Sequence, residues 1–557
     1  MNKVSFTGAS LKTQYSEISQ LTSETYNALL YGFHWGLNNI TYSILEGPES
    51  NFSENYTLNN NLNELIKGQM HVSPTQAKAI SSAFKTWSNV ANINFSQIKE
   101  TEGSVGTIRV GLSNTVDLLV DNSSAFAFFP ANNDTAGDIW LNTTTKDILN
   151  GKFFGNFSES SFNETSFSYS ILVHEIGHAL GLKHPFETSA RNFSVLAVSD
   201  NLLNNTIMSY SLSLNSEVIG LTAYPTTPMI EDIRAIQHLY GTNSSFNSGD
   251  SSYFFDDSAT YFETIWDSGG IDEIIYRGSE PIELLLNSAS GSYVGKRVKG
   301  YSEHDANLVE IKNIYIADNV IIENAFGGFG NDLIHGNSAP NFLAGGKGND
   351  SLYGFGANDV FEAGEGNDFI YGGDGVDILV RKASDFDITF LGQQSFQVKS
   401  FGADGVDKLF NVERIYVGDL DSPFRIIGLD INQGESSGSV FRLYKAAFNR
   451  TPDGFEVGYH VRNIENDGLN FINIARNFLL SPEFKKTYGE NQSDEEYIRS
   501  LYQNVLNREP QEFELKYYID QFENFSTERA VTLLNFSESP ENVSIIFPSI
   551  EFGIDLL

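Results

Sequence analysis

At 557 residues the chain has room for three or more domains of roughly 100–200 residues each. Its 71 acidic residues outnumber the 35 lysines and arginines, and the formal net charge of -36 argues against nucleic acid or an anionic membrane as a partner and favours cations. There is no cysteine, so disulfides and thiolate metal sites are excluded.

The first residues, MNKVSFTGASLKTQYSEISQL, hold no apolar stretch of the kind a secretory signal peptide needs. No run of about 18 apolar residues occurs, so no transmembrane helix is expected. Between about 70 and 100, Ala77, Ile80, Ala83, Phe84 and Trp87 fall on one helical face. GTIRVGL then alternates like a strand, and AFAFFPANNDTAGDIWLN reads as strand, turn, strand. SYSILVHEIGHALGL predicts a long apolar helix ending at Gly181, and PMIEDIRAIQHLYG (228–241) a second one closed by Gly241. These elements predict an α+β domain up to about residue 245.

The chemistry sits in HEIGHALGLKHP, residues 174–185. Positions i and i+4 of a helix project from one face, so His174 and His178 can hold one metal ion. Gly181 lets the chain turn and bring in His184 as a third imidazole. Three nitrogen ligands with an open position mark a catalytic zinc site. Glu175 is placed to take a proton from water at that metal. A bare HExxH is a weak signal, whereas the extended HExxHxxGxxH is specific. Downstream, TIMSY places Met208 and then Tyr210, which could ligate the metal or stabilise an oxyanion.

The second region repeats with a period of nine: GGFGNDLIH, GNSAPNFLA, GGKGNDSLY, GFGANDVFE, AGEGNDFIY and GGDGVDILV, starting at 327 and running without a slip. This nonapeptide is a calcium-binding β-helix signature. Each unit is a glycine-rich turn followed by a short strand. Two units make one coil, so units two apart stack. Asp332, Asp350 and Asp368 then form one ladder, and Asn341, Asp359 and Asp377 the other. Stacked carboxylates call for a cation between them, and calcium suits converging carbonyls and carboxylates. Gly328, Gly330, Gly345, Gly346 and Gly348 open such turns. The degenerate units GNSAPNFLA and GFGANDVFE predict fewer ions on one ladder.

The third region, 437–548, repeats at an offset of 58: Leu443-Tyr444, Asn449-Arg450, Pro452, Phe455-Glu456, Tyr459, Asn477-Phe478 and Ser481-Pro482-Glu483 recur as Leu501-Tyr502, Asn507-Arg508, Pro510, Phe513-Glu514, Tyr517, Asn535-Phe536 and Ser539-Pro540-Glu541. Helical spacing predicts two copies of one helical unit.

Over about 20–430 the chain resembles the serralysins, the metzincin branch that bacteria export through type I machinery. The resemblance rests on HEIGHALGLKHP, TIMSY, PMIEDIRAIQHLYG and IENAFGGFGNDLIHGN. It implies one catalytic zinc, held by His174, His178, His184 and, at rest, Tyr210. It further implies Glu175 and Tyr210 as catalytic residues and Met208 as the Met-turn beneath the metal. Several structural calcium ions are implied as well, with Asp267, Gly269, Gly270 and Asp272 (in WDSGGID) and Glu323 as ligands beside the repeat glycines and aspartates. Ala125, Phe126 and Ala127 resemble the strand that pairs with extended substrate. The region 437–548 resembles a helical domain of unknown function (DUF4214) on bacterial extracellular proteins, and IDLL at the end resembles a type I export tail.

The expected organisation is therefore multidomain: an N-terminal segment 1–25, an α+β metzincin domain 26–245, a parallel β-roll region 246–432, an all-α tandem repeat 437–548 and an export tail 549–557. The expected function is a secreted zinc endopeptidase, stabilised by calcium, acting on proteins and peptides, with a tail that could engage a cell surface. The rival is a non-enzymatic adhesion protein with a relic zinc site.

Overall fold

The computed structural model describes residues 15–17, 24–47, 52, 56, 60–101, 104–116, 123–144, 157–158, 162, 164, 166–382 and 385–557. Most of the expected N-terminal segment 1–25 lies outside them. The chain forms two compact units, Met1–Ile322 and Glu323–Leu557.

The first unit is built on a mixed sheet of strands β1 (Asn39–Ile44), β2 (Asn94–Gln97), β3 (Ile108–Ser113), β4 (Ala125–Ala127) and β5 (Ile139–Asn142), in the order β2-β1-β3-β5-β4. The first three pairings are parallel; β4 runs antiparallel to β5 and forms an edge. Helix α1 (Pro74–Val90) starts where Ser73 and Gln76 cap each other's backbone reciprocally, with Pro74 at the first turn. It buries Ile80, Ala83, Phe84 and Trp87, the face read from the sequence, and ends before β2 takes up Asn94 and Phe95. Helix α2 (Phe167–Leu180) is buried along nearly its whole length, as its apolar run requires. Helix α3 (Ile230–Tyr240) closes at Gly241. Short strands follow at Ser252–Phe255, Glu263–Ile265, Glu273–Tyr276 and Ile314–Ile316.

The compact-unit boundary thus falls at 322/323, later than the expected change at 245/246. The reason lies in pairing: Thr264 N–H donates to Thr227 Oγ1 at 2.8 Å, Glu263–Ile265 pairs with Ile314–Ile316, and Arg234 binds Asp318 through two nitrogens. Residues 246–322 are therefore packed into the unit that carries α2.

In the second unit the repeats form two sets of parallel strands, paired at an 18-residue register up to the last strand of each set. One set pairs Asn324–Phe326, Phe342–Lys347, Val360–Glu365, Ile378–Arg381 and Arg414–Asp419 in turn. The other pairs Leu333–His335, Ser351–Gly356, Phe369–Asp374 and Val406–Phe410. The eighth residue of each unit (Ile334, Leu343, Leu352, Phe361, Ile370 and Leu379) is fully buried between them. Eight helices follow: Ser436–Phe448, Gly454–Asp467, Phe471–Leu480 and Pro482–Tyr488, then Asp494–Leu506, Glu512–Phe525, Arg529–Ser537 and Pro540–Ile546. Each helix of the second set starts 58 residues after its counterpart. One clamp recurs with them: Arg450 binds Glu456 and Glu483, and Arg508 binds Glu514 and Glu541. The chain ends as a short strand, Ile554–Asp555, paired antiparallel with Ile427–Gly428. The expected export tail is folded onto a sheet edge, with Leu556 buried.

Candidate metal centre

Two glycines shape the helix that carries the site. A Cβ on Gly177 would meet Met208 Sδ at 2.7 Å and the Trp87 ring at 3.2 Å, so its absence lets both press against α2. Gly181 caps α2 in the left-handed region (φ 108°), and a Cβ there would meet Phe33 O at 2.3 Å. The reversal at Gly181 brings His184 back over the helix.

The three imidazoles converge. His174 Nδ1 donates to Ile207 O and His178 Nδ1 to Leu182 O, each at 2.7 Å. These bonds fix the tautomer and leave an Nε2 lone pair on each ring facing inward. His184 Nε2 lies 3.2 Å from His174 Nε2 and 3.0 Å from His178 Nε2. Three neutral acceptors that close repel one another unless a cation lies among them. Among the described residues no other three His, Cys, Asp or Glu side chains bring ligand atoms within 4.8 Å of one another. Zinc–nitrogen bonds of about 2.0–2.1 Å in a tetrahedral site fit this spacing. Burial holds His174 down at about 3 and His184 at about 4, and pushes His178 well below its ordinary value, so all three stay unprotonated and ligand-ready.

Glu175 is 6% exposed, and its Oε2 has no hydrogen-bond partner among the described residues. Burial raises this carboxyl to about 8. Met208 is fully buried beneath the site. Tyr210 is 65% exposed, with its ring 4.5 Å from that of His184 and 5.7 Å from that of His174, centre to centre. Phe129, just beyond the edge strand β4, packs edge-on against His178 at 5.1 Å. The expected zinc residues, Glu175, Tyr210, Met208 and the strand Ala125–Ala127 thus all lie within one unit.

Two residues that hold the site were not singled out in the sequence. Asp232, fully buried, accepts from Thr206 Oγ1 (2.5 Å), Ile207 N–H (2.7 Å) and Met229 N–H (2.8 Å), tying the TIMSY turn to the start of α3. Its place in the first turn of a helix was the available signal. Lys183, buried inside the motif, donates to Ala28 O, Glu187 O and Ser194 O. With Tyr31 N–H on Gly181 O (2.9 Å), it stitches residues 28–31 to the loop that carries His184. An apolar-flanked lysine gave no sign of that.

At the expected calcium positions of the first unit, Asp267 accepts from Gly269 N–H at 2.9 Å and Tyr253 O–H at 2.7 Å, and Asp272 from Ser251 N–H at 2.8 Å. Gly269 and Gly270 take φ of 134° and 143°, and a Cβ on Gly270 would strike Gly249. In the second unit the ladders stack as read. Asp332 N–H donates to Asp350 Oδ1 and Asp350 N–H to Asp368 Oδ1, at 2.8 and 2.9 Å; Asn341 N–H donates to Asp359 and Asp359 N–H to Asp377, both at 2.8 Å. The second carboxylate oxygens of Asp350, Asp359, Asp368 and Asp377 are buried with no hydrogen-bond partner among the described residues. A row of buried, unpartnered carboxylate oxygens fits calcium. Gly328 N–H donates to Asp332 Oδ2 at 2.8 Å. Gly330 O lies where a Cβ on Gly348 would be, and Gly346 meets Gly328 in the same way. A Cβ on Gly345 would meet Asp350 Oδ2 at 2.4 Å. Glu323 offers its carbonyl to Asn341 Nδ2 at 2.9 Å.

Comparison with known proteins agrees with this geometry. The family model described as Matrixin matches residues 34–201. The RTX calcium-binding nonapeptide repeat matches 326–354 and 353–381, and the Domain of unknown function (DUF4214) matches 475–546. A serralysin of Photorhabdus laumondii is 31% identical over 327 residues, covering 55% of this chain and 60% of its own length. The metallopeptidase AprA of Pseudomonas marginalis is 33% identical over 329 residues, with 55% and 62% covered. Serralysin C of Dickeya chrysanthemi is 33% identical over 276 residues, with 46% and 53% covered. The half of this chain that carries the three imidazoles is similar to serralysins and, over residues 34–201, to the Matrixin family. The chain spans rather more than half the length of these serralysin-type relatives, and the metals they imply are a catalytic zinc and the calcium of the RTX repeats.

Proposed function

We propose that this chain is an exported zinc endopeptidase that hydrolyses peptide bonds in proteins and is stabilised by calcium. The observation that carries the reading is the approach of His184 Nε2 to within 3.2 Å of His174 Nε2 and 3.0 Å of His178 Nε2, next to a buried carboxyl group.

His174, His178 and His184 hold the zinc, and Tyr210 is close enough to the ligand rings to join them at rest. The zinc, when bound, supplies electrophilic polarisation of the scissile carbonyl and acidifies water. The edge strand Ala125–Ala127 offers unpaired backbone groups to an extended peptide and so holds it across the site. Glu175 takes one proton from the attacking water and delivers it to the amide nitrogen as the C–N bond breaks, leaving a carboxylic acid and an amine, between which the acid proton passes to give carboxylate and ammonium. The Tyr210 hydroxyl, on a ring free to move at the surface, donates to the oxygen on which charge develops. Met208 and Asp232 keep the floor of the site in place.

The two parallel strand sets are read as a β-roll. Its calcium ions lie along the two Asp ladders, with Asp267, Gly269, Gly270, Asp272, Glu323 and the turn glycines as further ligands. The functional division is an N-terminal segment 1–25, protease 26–245, roll region 246–432, helical pair 437–548 and export tail 549–557, with the type I machinery as the export partner. The helical pair attaches the enzyme to a surface or substrate. Supporting this, Phe455 and Tyr459 are 66% and 53% exposed, and their counterparts Phe513 and Tyr517 are 69% and 57% exposed, although every one of them recurs between the two copies. Hydrolysis of casein by the purified chain, abolished in Glu175→Ala with zinc retained, tests the reading. A zinc-loaded wild type that cleaves no protein contradicts it.

A further inference from the structure

The ladder Asp332–Asp350–Asp368 does not stop with the recognised repeats. Asp368 N–H donates to Asp407 Oδ1 at 3.0 Å, the bond that joins every earlier step, although 39 residues separate the two instead of 18. The other marks of the repeat accompany it. Lys408 N–H donates to Asp368 O at 2.8 Å, and Val406 N–H to Asn367 Oδ1 at 2.8 Å, as Asn367 N–H does to Asn349. Phe369–Tyr371 pairs parallel with Lys408–Phe410, and Leu409 is fully buried in the place of Ile370. Gly405 takes φ 62°, and a Cβ on it would meet Gly366 O at 2.0 Å. The sequence agrees once the phase is released: GADGVDKLF (402–410) shares six of nine residues with GGDGVDILV (372–380). A hairpin of Phe386–Gly392 with Ser395–Ser400 stands between them and breaks the period.

This turn differs from the others in one respect. At Asp350, Asp359, Asp368 and Asp377 the second carboxylate oxygen is buried and unpartnered among the described residues. At Asp407 that oxygen is bound by Arg381 Nη1. Arg381 is 3% exposed; its Nη2 reaches Ser400 Oγ and lies 3.6 Å from Asp404. The guanidinium also acts electrostatically on Asp368 of the stacked turn.

We infer that residues 402–407 form a seventh nonapeptide turn whose cation is Arg381 rather than calcium. The inference rests on the calcium reading of the roll. A fixed internal charge closes this ladder with no ion to bind, so the turn next to the inserted hairpin forms even when calcium is scarce. It also predicts a latent calcium site: with the guanidinium gone, Asp407 Oδ2 loses its cation and joins the unpartnered Asp368 Oδ2 of the stacked turn before it.

The test counts calcium per chain by atomic emission after equilibrium dialysis of the full-length protein, for wild type, Arg381→Met, Asp407→Asn and the double variant. The expected result is one more calcium in Arg381→Met than in wild type, lost again in the double variant, and no change in Asp407→Asn alone. Arg381→Met should also reach the wild-type circular dichroism spectrum only when calcium is saturating. Equal counts in wild type and Arg381→Met overturn the inference. So does loss of one ion in Asp407→Asn alone, or failure of Arg381→Met to fold at any calcium concentration. A wild type that binds no calcium at all would instead remove the calcium reading of the roll.

Discussion

Glu175 is buried without a hydrogen-bond partner for one oxygen, next to the ligand helix face. A carboxyl in that position contributes little to stability and is explained by proton transfer. Glu175→Gln should keep zinc and fold while kcat/KM falls by about 10²–10⁴. A variant with near wild-type turnover would remove Glu175 from the mechanism. Tyr210→Phe keeps the ring against His184 and loses only the hydroxyl, so kcat should fall by roughly 10–10² with KM little changed. Asp232 acts at a distance: it satisfies two backbone N–H groups and one hydroxyl around the TIMSY turn. Asp232→Asn replaces one acceptor by a donor facing an N–H, and should cost about 1–3 kcal/mol in urea unfolding. At this scale the convergence of His174, His178 and His184 was legible from spacing alone, because a four-residue helical step and one glycine reversal bring the rings together. Asp232 and Lys183 were not, since their partners lie 25 and 155 residues away.

Among the elements, the nonapeptide repeats are where conformation and charge meet. The degenerate unit 354–362 has Phe355 and Ala357 where four of the other five units have glycine, yet both keep the left-handed backbone, at φ 80° and 73°. The stacked turns on either side hold that conformation against a cost of roughly 1–2 kcal/mol per residue. Ala357→Gly should therefore stabilise the chain by about 1 kcal/mol in chelator, and a destabilised variant would contradict this origin of the strain. Burial, helped by neighbouring aspartates, raises metal-free Asp350 and Asp359 to about 7 and Asp377 to about 6. An unfolded aspartate titrates near 3.9. The protonated ladders thus favour the fold below about pH 4, and that contribution is lost as pH rises through about 6–7. In chelator, β circular dichroism should be stronger at pH 5 than at pH 8, and calcium should restore it at pH 8; equal spectra in chelator would contradict the ladder electrostatics. The ladders were legible because a period of nine survives degenerate letters. The seventh turn was hidden by the hairpin, which shifts the phase without breaking the stacking.

For the whole molecule, composition anticipated several domains and cation binding, and the structure divides the chain at 322/323. The sequence alone does not show this division, because strands such as Glu263–Ile265 look alike whether they continue the repeats or buttress a helix; the Arg234–Asp318 and Thr264–Thr227 contacts tie them to the first unit. The helical pair was legible as a duplication, and its recurring core and clamp residues are explained by packing. Its exposed aromatic residues are not, which is why attachment is assigned to it. A chain ending at residue 435 should cleave a dissolved protein at the full-length rate while losing retention on cells. Because it also lacks Ile554–Asp555, the edge at Ile427–Gly428 is uncovered and unfolding should come at lower urea. A truncated chain that is equally retained would contradict the attachment role.

The most direct test of the central claim is casein hydrolysis by purified full-length protein in calcium, beside Glu175→Ala, with zinc measured on both. Each should hold about one zinc per chain, with cleavage by wild type and none by the variant. Wild type that holds zinc and cleaves nothing, or a variant that cleaves as well as wild type, would contradict it.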